Sequence, residues 1–337
     1  MNITTLGIDI AKRVFQLHGI DSNGEVVLKQ KVTRDKLLSI ISNLPKCLIG
    51  LEACGGSHYW AREFSKCGHT VRLMHPQFVK AYVKSNKNDA LDAEAICEAV
   101  ARPSMRFVPV KNIEQQDIQS IHRVRETLVK NRTQLANQIR GLLGEYGVVI
   151  PQGISYIRSE LPIILENKDN KLSARALVLF RDLLEDFKTI DQKVKVYDNE
   201  IEIICKQDKA CQRLTKVPGI GPLIATALVA SISDGKTFKN GRELSAYLGL
   251  VPRQNSSGSK NKLLGISKRG DKYIRKLLIH GARSAMTRSK SLPKKLVEWI
   301  NRLINNRGFN KACVALANKV ARIAWVIINK KQEFYFA

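Results

Sequence analysis

The sequence predicts an α/β domain built on a mixed sheet, then a long helical arm, then a mainly helical, strongly basic C-terminal portion. Three observations predict this order. The first 75 residues alternate short apolar runs with turn residues and then with helical spacing, the pattern of a sheet with helices on its faces. Two stretches, about Ile113 to Tyr146 and about Ser173 to Gln207, keep helical periodicity far longer than an ordinary globular helix. The charge is uneven: residues 205–337 hold 27 Lys+Arg against 6 Asp+Glu, residues 111–204 hold 14 of each, and residues 1–110 hold 15 against 10. Over 337 residues with 44% hydrophobic content, this gives three predicted parts: an α/β domain over 1–110, a coiled-coil-like helical arm over 111–208 and a basic domain over 209–337.

Thr5 to Lys12 is an apolar run interrupted by one carboxylate, Asp9. An ionised Asp among core residues is costly unless it has a partner or a metal. The plainer alternative is a strand-end Asp that caps a turn. Residues 13–20 alternate with period two, Asp21-Ser22-Asn23-Gly24 supplies turn chemistry, and Glu25 to Val32 reads as a third strand. Thr33 opens a helix to Leu44. Cys47 to Ala53 is a short strand with a second lone acid, Glu52. Ser57 caps a helix to Lys66, Gly68 stops it, Thr70 to His75 is a strand, and Pro76 starts another helix.

In Asn86-Lys87-Asn88-Asp89-Ala90-Leu91-Asp92-Ala93, two acids stand three apart on a predicted helix and share one face. Taken alone they suit the first turn of a helix, where the dipole favours acids. Taken with Asp9 and Glu52 they predict a four-carboxylate site, in the order Asp, Glu, Asp, Asp, able to hold two Mg²⁺ ions roughly 3.5–4 Å apart. The seven cysteines are scattered, with no Cys-x-x-Cys pair and no nearby His at zinc spacing; they are uninformative for metal and suggest buried free thiols in a reducing cytoplasm. No signal-peptide pattern is present, and the longest uncharged run, Val217 to Ser233, begins with Pro218, Gly219, Gly221 and Pro222, leaving too short a helix to span a bilayer; no membrane association is expected.

Gly147 to Pro162 reads as a break between the two long helices. Val217-Pro218-Gly219-Ile220-Gly221-Pro222 between helical stretches reads as a helix-hairpin-helix, in which Gly219 and Gly221 let backbone amides approach phosphates. Residues 249–282 hold eight Lys+Arg and one acid; Arg253, Lys260, Lys262, Lys268, Arg269, Lys272 and Arg275 are the expected nucleic-acid contacts. By composition, the Ser256-Ser257-Gly258-Ser259 stretch is a flexible basic loop that touches the phosphate backbone. No His/Asp pair stands beside Ser257, so a hydrolase triad is unsupported.

The three-stranded opening with an Asp in its first strand resembles a ribonuclease-H-like domain. The whole ordered set resembles the one-ten family of insertion-sequence transposases, described as bridge-RNA-guided recombinases: Gly7-Ile8-Asp9-Ile10-Ala11-Lys12, Leu51-Glu52-Ala53-Cys54-Gly55, Asp89-Ala90-Leu91-Asp92-Ala93, Val217 to Pro222, Leu248-Gly249-Leu250-Val251-Pro252, Ser257-Gly258 and Ile266-Ser267-Lys268-Arg269-Gly270. The resemblance implies a RuvC-like N-terminal domain whose Mg²⁺ ligands are Asp9, Glu52, Asp89 and Asp92, and a C-terminal transposase domain in which Ser257 attacks a DNA phosphodiester to form a serine–phosphodiester intermediate. It also implies donor and target DNA, a guide (bridge) RNA that selects them by base pairing, and a homo-oligomer, dimer or tetramer. The alternatives are a RuvC-like structure-selective nuclease that uses water as nucleophile and needs the four acids but not Ser257, and a non-enzymatic nucleic-acid-binding protein.

Overall fold

Strand β1 (Thr5–Ile10) pairs antiparallel with β2 (Val14–Ile20), which pairs antiparallel with β3 (Val26–Thr33). The computed structural model describes residues 2–83, 89–167, 169–258, 260–288 and 292–335. The β2–β3 turn is held by the Asp21 carboxylate, which accepts from the amides of Asn23 (2.8 Å) and Glu25 (3.0 Å), while Gly24 takes φ +85°. Helix α1 (Arg34–Ser42) follows, then β4 (Leu48–Glu52), α2 (Ser57–Lys66), β5 (Thr70–Met74), α3 (Pro76–Val79), α4 (Asp89–Val100) and β6 (Phe107–Val108). The six strands lie in the order β3-β2-β1-β4-β5-β6; β1, β4 and β5 are parallel, and β6 closes the edge antiparallel to β5.

The sheet has two differently built faces. On one, Leu6, Ile8, Ile49 and Leu51 are fully buried with Phe15, Leu17, Leu37, Ile41, Trp60 and Phe64 under α1 and α2. On the other, β1 and β4 place Gly7 directly opposite Gly50. These residues leave a flat seat for α4, where the side chains of Ala93, Cys97 and Val100 are buried. A Cβ on Gly7 would overlap the Ala93 carbonyl and sit 2.8 Å from Cys97 Cα, and one on Gly50 would sit 2.7 Å from Val100 Cβ.

The remaining chain is mostly helical: α5 (Ile113–Gly144), α6 (Ile154–Glu166), α7 (Ala174–Gln207), α8 (Lys209–Leu214), α9 (Pro222–Ile232), α10 (Gly241–Tyr247), the short antiparallel pair β7 (Pro252–Gln254) and β8 (Leu263–Ile266), then α11 (Lys272–Thr287), α12 (Lys294–Arg307) and α13 (Phe309–Lys330). The expected break at Gly147 to Pro162 is shorter than the sequence suggests, because α6 runs through Pro162. Proline removes one helical hydrogen bond, but Ile157, Leu161 and Leu165 recur every fourth residue and bury in a core shared with Ile139 of α5 and Phe180 and Phe187 of α7. The same helices are cross-tied at Asp191. Burial works against its charge, yet Arg158 (2.6 Å) and Arg132 (2.7 Å) donate to it and hold its pKa down to about 2. In α13, long and apolar enough by composition to cross a bilayer, Leu316, Ala317, Val320 and Ala324 are buried, and the helix packs on α10, α11 and α12.

Two compact units result. One comprises Met1–Gln115 together with Ser231–Thr237, and the other comprises Gln116–Ala230 with Phe238–Ala337.

Candidate metal centre

The parallel register of β1 and β4 sets Ile8 against Leu51, so the next residues along, Asp9 and Glu52, stand side by side at the carboxyl ends of neighbouring strands. Strands this close lie about 4.8 Å apart. Side chains alternate along a strand, so Asp9 shares a face with Gly7, and Glu52 shares it with Gly50. That face carries α4, whose first turn holds Asp89 and Asp92. The two glycines therefore set how closely the helical acids approach the strand acids.

The carboxylates of Asp9, Asp89 and Asp92 each offer an oxygen within 4.8 Å of the others. Asp9 and Asp92 are half-buried and Asp89 is exposed. Glu52 belongs to the same electrostatic group: burial raises its pKa above the usual carboxylate range, and the negative charges of Asp9 and Asp92 raise it further. Carboxylate oxygens gathered this closely are the ligands a divalent cation takes, so the donor set fits a hard, oxygen-loving ion. Asn86, Lys87 and Asn88, which precede Asp89 in the sequence motif, lie outside the described residues.

The sequence analysis did not assign Gly7 and Gly50 to this site. The signal was present as a repeated spacing, since Gly7-Ile8-Asp9 and Gly50-Leu51-Glu52 both put glycine two residues before an acid.

The residues expected to contact nucleic acid all fall in the second unit. Arg253, Lys260, Lys262, Lys268, Arg269 and Lys272 are exposed on and around the β7–β8 pair and the start of α11. Arg275 is 7% exposed, and its Nη1 donates to the carbonyls of Leu248 (3.0 Å) and Arg269 (2.9 Å). In the turn between α8 and α9, Gly219 takes φ +86° and lies against α11, where a Cβ would meet the Gly281 carbonyl oxygen at 2.7 Å; Gly221 faces open space.

Ser257 requires a correction. The serine–phosphodiester route needs a group that activates the hydroxyl. Ser257 is exposed in the β7–β8 hairpin, paired with Lys260 through the backbone, and among the described residues no base or carboxylate bonds to its hydroxyl. What the structure does assemble is a carboxylate cluster, a candidate divalent-metal site of the kind that RuvC-like nucleases use with water. The neighbouring Ser256 accepts from Gln254 Nε2 at 3.0 Å, and Ser259 lies outside the described residues.

A family of transposases characterised by a DEDD motif matches residues 6–148, which contain all four acids, and the transposase IS116/IS110/IS902 family matches residues 211–298. The chain is 46% identical over 332 residues to a probable family 20 transposase of Pseudomonas aeruginosa, covering 98% of each. It is 45% identical to the transposase for insertion sequence element IS1111A of Coxiella burnetii, covering 99% of this chain and 92% of that one. It is 39% identical to the transposase for insertion sequence element IS1328 of Yersinia enterocolitica, covering 99% of each. The chain therefore belongs to the one-ten (IS110/IS1111-type) family of insertion-sequence transposases, enzymes of DNA cutting and recombination.

Proposed function

We propose that this transposase cuts DNA by metal-assisted hydrolysis at a RuvC-like site made of Asp9, Glu52, Asp89 and Asp92, with Mg²⁺ as the cation. The observation that carries this reading is the convergence of three Asp carboxylates within 4.8 Å, with Glu52 raised in pKa beside them. Bound Mg²⁺ would neutralise charge on the scissile phosphate and lower the pKa of the attacking water. Asp9 and Glu52, anchored on the rigid sheet, fix the position of the reacting centre, while Asp89 and Asp92 close it from the helix.

We further propose a division of labour among three parts of the chain, 1–110, 111–208 and 209–337. The second part would bring copies together as a dimer or tetramer. The third, through a helix-hairpin-helix at Gly219 and Gly221 and the cations Arg253, Lys260, Lys262, Lys268, Arg269 and Lys272, would hold donor and target DNA by the phosphate backbone. Its strong positive charge also suits a guide RNA that selects the DNA by base pairing. The buried Arg275 would act by shaping this surface from within.

The test is cleavage of labelled duplex and branched DNA in Mg²⁺ and H₂¹⁸O. Hydrolysis puts ¹⁸O into the product phosphate, and Asp9→Asn and Asp92→Asn lose cleavage while still binding DNA. Unlabelled products joined to protein, or normal cutting by Asp9→Asn, would overturn the reading.

A further inference from the structure

At the carboxyl ends of β1 and β4, a recess of ≈ 290 Å³ opens one residue beyond Asp9 and two beyond Glu52. It shares Arg34 and Trp60 with an open cleft of ≈ 770 Å³ that continues to Arg13 and Tyr59. Ligands of open α/β sheets sit outside the carboxyl ends of the strands, where this groove lies.

Three features mark the groove. Lys12, Arg13 and Arg34 are exposed, and among the described residues no carboxylate pairs with any of them. Tyr59 is 41% exposed on the rim, its ring set edge-on to Trp60 at 5.0 Å. Trp60 is 3% exposed, yet its indole N–H is buried without an acceptor among the described residues. Arg34 is already ordered for binding: its guanidinium stands 5.1 Å over the Trp60 ring and donates to the Lys12 carbonyl at 3.4 Å.

Exposed cations beside an exposed aromatic side chain form the recognition set for unpaired nucleotides. We infer that this groove seats a single strand of DNA running to the carboxylate cluster, with Lys12, Arg13 and Arg34 on its phosphates and a base stacked on Tyr59. The inference rests on the cleavage reading above for which strand is bound, but the seat is testable without cleavage. A strand held here would enter the metal centre already unpaired, so local melting of the duplex would precede cutting.

The experiment uses the full chain in EDTA. A 12-nucleotide DNA single strand bearing 5-bromodeoxyuridine is photocrosslinked and the attachment site mapped by mass spectrometry; in parallel, anisotropy gives the slope of log K against log salt. The expected crosslink is at Tyr59, lost in Tyr59→Ala and kept in Tyr59→Phe. Arg13→Gln with Arg34→Gln should reduce the magnitude of the slope by about 1.4, at about 0.7 per phosphate contact for a single strand. If the double variant unfolds on losing the Arg34–Trp60 stack, Arg13→Gln alone should reduce it by about 0.7. Crosslinks confined to residues 205–337 with an unchanged slope would overturn the inference, as would an RNA 12-mer that crosslinks at Tyr59 where the DNA does not. A chain that crosslinks at Tyr59 but fails to cut DNA in Mg²⁺ keeps the seat and rejects the cleavage reading instead.

Discussion

Replacing Gly7 with Ala adds a single methyl group and should disable the metal centre without touching a ligand. The new Cβ would overlap the Ala93 carbonyl and lie 2.8 Å from Cys97 Cα, where 3.4–4 Å is ordinary contact. The obstacles are backbone atoms of α4, so no side chain can rotate aside, and the helix must retreat by about 1 Å. Misplacement on that scale costs on the order of 10²-fold in rate when it falls on a reacting centre. Overpacking adds a stability loss of about 1–3 kcal/mol. Asp89 and Asp92 ride on the retreating helix while Asp9 stays on β1, so the set that meets within 4.8 Å is pulled apart. Single-turnover DNA cleavage against Mg²⁺ concentration, with thermal melting of the same sample, separates the effects. The expected result is a folded protein, a melting point lower by several degrees, a right-shifted metal dependence and a large fall in rate. A variant that melts lower but cuts at the parent rate with the parent metal dependence would show that strand–helix spacing does not govern the site.

Three further outcomes can be measured directly. Glu52 ionises less readily in the folded chain than in the unfolded one, because of burial and then Asp9 and Asp92; in EDTA, stability should therefore fall as pH rises from about 4.5 through its raised pKa, and Glu52→Gln should abolish that fall. An equal pH dependence in both proteins by thermal melting would refute this. His122 is buried between the hydroxyls of Tyr273 and Thr226, each at 2.9 Å, and burial, with Arg125 nearby, lowers its pKa from 6.5 to about 4. Unfolded chains take up that proton first, so acidification from pH 6.5 to 4 should cost up to about 3 kcal/mol, a loss that chemical denaturation should find absent in His122→Gln. Finally, Ser257→Ala should cut DNA at the parent rate, and neither protein should leave a covalent adduct on a denaturing gel; an adduct formed by the parent and lost in the variant would restore the serine as nucleophile.

Much of the first unit was legible because its signals are local. Asp21 and Gly24 write the first turn, period-two alternation writes β2, and the acids stand out against apolar neighbours. Asp9 and Glu52 stood out as lone carboxylates in strand-like apolar runs, and Asp89 and Asp92, three apart on one helical face, gained their meaning only beside them. What was not legible depends on residues distant in sequence. Gly7 and Gly50 matter only because β1 and β4 pair in register and α4 lies across both, which neither segment encodes alone. Arg275 looked like its exposed neighbours, and only the return of Leu248 to α11 buries it. Pro162 misled in the other direction, because a local rule against proline gave way to three buried side chains on one helical face.

The seven residues Ser231–Thr237 give the molecule an unusual constraint on its ancestry. They belong with the N-terminal unit although both their flanks belong to the other, so the chain passes between units three times. The segment also falls inside the 211–298 region that matches the second transposase family. A genetic crossover at any one point would separate this segment from its own unit or cut through a unit. Exchange of front and back halves between elements would have to carry the heptapeptide with the front, through two further junctions. Lineages of this protein are thus expected to descend as wholes, with the phylogenies of the two halves agreeing branch for branch.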